Sequence, residues 1–180
     1  MRFEILSGLP PYGPDVLNFS PTGQGSHSEG LVVRFKRDDG TDWVGNFQPG
    51  VGGCCTAVIH PDKLRLLLIS KGQVYVVDPN DPSKWEQLSS DISSIIEVPE
   101  LEAILLCNGL WFELMGANGN IWQSRRISWD GISDIKIRGL ELVGRAWSPE
   151  ERWYDFTLDI LDGTVTGGSF NGPGSPDYST

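Results

Sequence analysis

The chain has 180 residues, enough for one domain, or two small ones, with a sizeable core. Its 22 glycines, 12 prolines and seven tryptophans favour many turns and aromatic strands over long helices. A net charge of −10 sets the field against nucleic acid and anionic membrane surfaces, and argues against both as partners.

The three cysteines make no disulfide framework. Cys54 and Cys55 are neighbours, and a bridge between neighbours is strained. Cys107 lies in an apolar run as a small core residue. This usage suits a reducing compartment. No segment reaches the ~20 apolar residues of a membrane span, and the N-terminus lacks the apolar run of a signal peptide. A cytoplasmic protein is expected.

In chain order, residues 3–6 read as a short edge strand. Residues 8–30 read as a long loop, because Pro10, Pro11 and Pro14 forbid regular ladder bonding. Residues 31–36 and 43–48 alternate as strands around a turn at Asp38-Asp39-Gly40. Residues 55–59 form the next strand, stopped by His60-Pro61-Asp62. Residues 64–70 and 74–78 flank a Lys71-Gly72 turn, and residues 83–88 suit one helical turn. Residues 92–98 and 103–107 are strands separated by Pro99-Glu100. The stretch 105–131 then reads as strands broken by Asn-Gly and Asp-Gly turns, and holds Trp111, Trp122 and Trp129. Ile135, Ile137 and residues 140–143 supply short strands around Gly139. Residues 153–161 place Tyr154, Phe156, Leu158 and Ile160 on a core face, with Trp153, Asp155, Thr157 and Asp159 opposite. Asp162-Gly163 turns the chain into residues 164–170, and 171–180 is a Gly/Pro/Ser-rich tail.

A unit recurs. Pro61 to Gly72 spans 11 residues and Pro99 to Gly109 spans 10, while Gly72 to Trp85 and Gly109 to Trp122 each span 13. A strand, Pro-acid turn, apolar strand, x-Gly turn and aromatic strand repeat after about 38 residues, which resembles a β-propeller blade. The expected fold is all-β: antiparallel meanders with blade-like repeats, propeller-like (small or open) or a β-sandwich, with 10 to 15 strands and little helix. One β domain over 1–170 is expected, followed by a flexible tail.

Beyond the blades, GLPPYGP (8–14), EGLVVRF (29–35), DGTDWVGNFQPG (39–50), RRISWDG (125–131), GRAWSP (144–149) and DGTVTGGSF (162–170) carry a further likeness. Over nearly the full length the chain resembles a family of bacterial proteins of unassigned function. The resemblance implies a complete bacterial domain and transfers no site.

Cys54, Cys55, His60 and Asp62 contain the ingredients of an activated thiol. Their spacing matches no cysteine-protease signature, and His60-Pro61-Asp62 reads more simply as a turn. His27 and His60 lie too far apart in sequence to suggest a metal cluster. Asp38, Asp39 and Asp42 around Gly40 suit a hairpin better than a cation loop. No phosphate-binding or dinucleotide motif occurs. No catalytic residue, metal ligand or cofactor is therefore assigned.

Charge is uneven: residues 1–90 hold 8 bases and 10 acids, residues 91–180 hold 6 and 14. No Lys or Arg lies between Lys84 and Arg125, a stretch holding Glu97, Glu100, Glu102 and Glu113. These four are candidates for an acidic docking face. Pairing about the 108–109 turn would set Glu102 opposite residue 115, near Glu113. Arg125, Arg126, Trp129 and Asp130 form the second candidate group. Strand alternation would turn Ile127 and Trp129 inward and leave the arginines to pair with acids. Alternatively, Arg126 and Trp129 anchor a binding patch. The reading favoured is a non-catalytic module binding a basic protein, of which a toxin-immunity protein is one concrete form. A hydrolase with loop-borne Asp or Cys/His residues, and a structural subunit joined through edge strands, are the alternatives. Oligomeric state is left open.

Overall fold

Short β-branched and aromatic runs between turn residues become strands along the whole chain. The computed structural model describes residues 2–22 and 29–170. His27 and the 171–180 tail lie outside the described residues. The described chain holds sixteen strands, one more than the upper expectation, and one 3-10 turn.

The strands form four sheets of four. The first joins β1 (Arg2–Leu6), β2 (Val16–Phe19), β3 (Leu31–Lys36) and β4 (Asp42–Phe47) in the order β1-β3-β4-β2. Strand β2 corrects the reading of 8–30 as loop throughout. No proline lies between Pro14 and Pro21, and Val16 to Phe19 pair in parallel with Val44 to Phe47. Asn46 donates to the Asn18 side chain at 2.9 Å, and the Gln48 N–H donates to the Phe19 carbonyl at 2.9 Å.

The second sheet is a meander of β5 (Thr56–Ile59), β6 (Leu66–Ser70), β7 (Gln73–Val77) and β8 (Trp85–Gln87). The expected helical turn at 83–88 is instead β8. Its residues pair with Tyr75 to Val77, a ladder that outcompetes a single costly helical turn. The third sheet repeats the plan with β9 (Ser94–Val98), β10 (Ala103–Cys107), β11 (Phe112–Gly116) and β12 (Gly119–Gln123). The 3-10 turn Pro99–Leu101 links its first two strands. The fourth comprises β13 (Ile132–Arg138), β14 (Glu141–Ser148), β15 (Arg152–Asp159) and β16 (Val165–Gly167). The fold is all-β, with blade-like meanders matching the sequence repeat.

Two compact units divide the chain, Met1–Ile95 and Ile96–Thr180. In the first, Phe35, Trp43 and Phe47 meet Leu66, Leu68 and Tyr75 in one buried cluster. Phe35 stacks on Trp43 with ring centroids 4.0 Å apart. Burial pushes the Tyr75 phenol up to about 12, and its hydroxyl donates to the Gln48 carbonyl at 2.8 Å. In the second unit, Leu105, Phe112 and Leu114 of the third sheet meet Leu142, Phe156 and Leu158 of the fourth. Each such side chain contributes roughly 1.5–3 kcal/mol on burial.

Burial patterns differ between sheets. Strands β6, β7 and β10 are buried at every residue. Strands β14 and β15 alternate, so one face of the fourth sheet covers the core and the other meets solvent. Three of the eight edge strands are blunted: β8 and β16 have three residues each, and β13 carries a bulge where Asp134 takes φ 54°.

Gly163 (φ 76°) closes the β15–β16 turn, and a Cβ there would stand 2.8 Å from the Trp122 ring. Gly40 (φ 87°) faces open space. Gly40→Ala should cost about 1 kcal/mol from backbone strain alone. Gly163→Ala should cost more, because Trp122 must also move. Denaturant melts of both variants, followed by tryptophan fluorescence, check the order.

Candidate functional site

Cys54, Cys55 and His60 do not converge. Cys55 precedes β5 and His60 follows it, five residues of extended chain or about 16 Å. The Cys55 Sγ accepts the Lys71 N–H at 3.2 Å, and burial, helped by Cys55, pushes the Cys54 thiol up. A raised thiol is the opposite of an activated one. His60 is 2% exposed, and its Nδ1 accepts the Asp62 N–H at 3.2 Å. Asp62 accepts the Leu64 and Arg65 N–H groups at 2.8 and 2.9 Å and the Arg65 Nε at 2.6 Å. Arg65 also reaches Glu86 at 2.7 Å. The His60-Pro61-Asp62 corner is built as a turn. Among the described residues, no group of three His, Cys, Asp or Glu could hold a metal ion. Asp39 caps Thr41 in its hairpin, and Asp38 bonds Asn80.

The acidic candidates separate. Strands β10 and β11 pair Ile104 with Met115 and Leu106 with Glu113. The loop between them has four residues, because Asn108 accepts the Leu110 and Trp111 N–H groups at 2.9 and 3.1 Å. That register sets Glu102 opposite residue 117, not 115, so Glu113 lies about 13 Å along the strand from Glu102. Glu97, Glu100 and Glu102 stay exposed around the 98–103 turn. Glu113 is half-buried and accepts the Trp111 indole N–H at 3.3 Å. Among the described residues, none of the four forms an ion pair with Arg125 or Arg126.

Arg125 and Arg126 bind carbonyls rather than acids. Arg125 donates to the carbonyls of Arg126, Gly167 and Phe170, clamping the end of the described chain. Arg126 donates to the Ser128 and Trp129 carbonyls at 2.9 and 2.7 Å. Its guanidinium lies 4.5 Å from the Phe170 ring centre and 5.6 Å from Trp129. Trp129 does not point into the core: it is 43% exposed, while Ser128 is buried. The reason is that 124–131 runs outside any strand, so two-residue alternation does not apply. The Ser128 hydroxyl bonds the Gly131 and Trp147 carbonyls, and Asp130 sits exposed beside Gly131.

The tryptophans fall into two groups. The indoles of Trp43, Trp111 and Trp122 donate to Pro79, Glu113 and Ile160. Trp85 has no indole hydrogen bond among the described residues either, but packs its ring on Phe19 and Tyr75 of the first core. Trp129, Trp147 and Trp153 have no indole hydrogen bond among the described residues. Trp147 and Trp153 face each other across β14 and β15 with centroids 5.0 Å apart, on the open face of the fourth sheet. Trp153 is 41% exposed, and Arg145 lies 5.6 Å over its ring. No sequence motif singles out this surface, although Arg145-x-Trp147 and Trp153-x-Asp155 carry the outward half of the alternation.

Linkage sets a pH test. Burial, against the pull of Asp62, holds the His60 imidazole below its ordinary 6.5. Burial alone would raise the Asp62 carboxyl, but the Arg65 and Leu64 hydrogen bonds outweigh it and hold it well below 3.8. Both folded groups bind fewer protons than their unfolded counterparts, so their contribution is full above pH 6.5 and lost as pH falls. Stability should decline in two steps, below 6.5 for His60 and below 3.8 for Asp62. Asp62→Ala should cost about 2 kcal/mol at neutral pH and shrink the lower step, which Asp39, Asp81 and Asp162 share. Urea melts across pH check both.

Comparison of the chain with protein-family models finds no match, and comparison with curated proteins finds none.

Proposed function

We propose that the protein is a non-catalytic protein-binding module, with Trp129, Trp147 and Trp153 as its anchors. The observation carrying this reading is that these three indoles keep their N–H groups free while Arg126 and Arg145 stack on Trp129 and Trp153. Tryptophan and arginine supply most hot-spot energy at interfaces, and an amphipathic indole with a free donor suits a surface that becomes covered. Arg145 is held by Asp134 as well as by the ring, so little freedom is lost on docking.

A basic partner fits the charge. The second half of the chain carries −8, and Glu97, Glu100 and Glu102 stand exposed around one turn. They would steer an approaching cation without sitting beneath the anchors. A bacterial toxin-immunity protein remains the concrete form that joins steering by acids to anchoring by aromatics. The separation of Cys55 from His60 along β5 weighs against the hydrolase alternative, and the blunting of β8, β13 and β16 weighs against assembly through those edges.

The test compares two variants with the parent in capture from extracts of the source cells, followed by kinetics on the captured protein. Trp129→Ser/Trp153→Ser should weaken binding by about 2 kcal/mol or more, mainly through faster release. Glu97→Gln/Glu100→Gln/Glu102→Gln should slow association and flatten its salt dependence. Neither should lower the melting temperature appreciably. Capture of the same proteins, equally tightly, by the parent and the tryptophan variant would overturn the reading.

A further inference from the structure

We infer that the open face of the fourth sheet also holds a seat for a small anionic ligand, bound through a carboxylate or phosphate group. The face forms a depression of about 620 Å³ lined by Lys136, Arg138, Arg145, Val143, Thr157 and Asp155. That volume lies within the roughly 300–1,000 Å³ of small-molecule sites.

The backbone register assembles the seat. Lys136 and Arg138 are two residues apart on β13 and project from the same face. Lys136 stands opposite Val143, which stands opposite Thr157, so an apolar and a hydroxyl group form the floor. Arg145 lies across from Ser133 on one side and Asp155 on the other. The bulge between Ser133 and Lys136 puts Asp134 in the left-handed region, where its carboxylate takes the Arg145 Nε at 2.5 Å and the adjacent Nη2. With Trp153 beneath it, that guanidinium is fixed before any ligand arrives.

Charge then selects the occupant. Three cations and two carboxylates, Asp134 and Asp155, leave the depression with one net positive charge on a chain of −10. Asp134 is already engaged by Arg145. Lys136 and Arg138 have no carboxylate within ion-pair distance among the described residues, even though Glu141 lies directly across from Arg138. Two unbridged cations two residues apart on one strand, with the fixed guanidinium farther along the same face, suit one anionic group, since such oxygens accept several charge-assisted hydrogen bonds at once. Asp155, an acceptor on the far wall, favours a ligand that also carries a hydroxyl or amine.

This seat does not depend on the protein-docking reading, and small anions test it alone. Amide chemical shifts of the full chain are followed during titration with inorganic phosphate and, separately, with acetate. The parent should show saturable shifts confined to β13–β15, and the tighter of the two anions names the ligand group. Lys136→Gln/Arg138→Gln should weaken the response at least tenfold. Lys63→Gln/Lys71→Gln removes the same charge from turns of the other unit and should leave it intact. The inference is overturned if neither anion gives saturable shifts, if the shifts spread over basic residues throughout the chain, or if both double variants respond alike. Both substituted pairs are exposed, so melting curves matching the parent are expected.

Discussion

Two-sided burial governs this molecule. Every residue of β6, β7 and β10 is shielded, so those strands cannot display chemistry to solvent and are built mainly from apolar residues. Leu66, Leu67, Leu68 and Ile69 run consecutively, without apolar–polar alternation, because β6 has no solvent face to alternate with. The fourth sheet escapes this constraint. Its middle strands bury Leu142, Ala146, Phe156 and Leu158 on one side and leave Arg145, Trp147, Trp153 and Asp155 on the other. That face displays charged and aromatic side chains side by side to solvent.

The aromatic load follows the same division. Trp43 lies in one core and Trp122 packs against the other. Each has found a carbonyl for its indole donor, as an indole shut away from water must. Trp129 and Trp153 have arginines over their rings and no acceptor for their donors among the described residues. Such an arrangement keeps large apolar rings ordered at the surface without sinking them into the core. It adds little to stability and suits recognition.

Much of the fold was legible because alternation and turn chemistry act locally. Residues 31–36 are a strand in both sequence and structure, and Asp162-Gly163 turns where its chemistry demands. What escaped depended on distant partners. Strand β2 exists because Val44 to Phe47 offer it a parallel ladder, and β8 because Tyr75 to Val77 do so in antiparallel. The register of Glu102 and Glu113 turned on Asn108, whose side chain bonds two backbone donors and widens an Asn-Gly turn to four residues. Strand alternation misplaces Trp129 because its segment is not a strand. The depression on the fourth sheet was invisible for a related reason: Lys136, Arg145 and Asp155 are brought together only by the register across three strands.

Trp129 and, on the open face of the fourth sheet, Trp147 and Trp153 present indoles without an acceptor among the described residues. Hydrogen exchange at the indole nitrogens, read by nuclear magnetic resonance, tests it directly. Trp43 and Trp122 should exchange slowly, and Trp129 and Trp153 should exchange fast in the isolated protein. Protection of Trp129 and Trp153 as strong as that of Trp43 would contradict it.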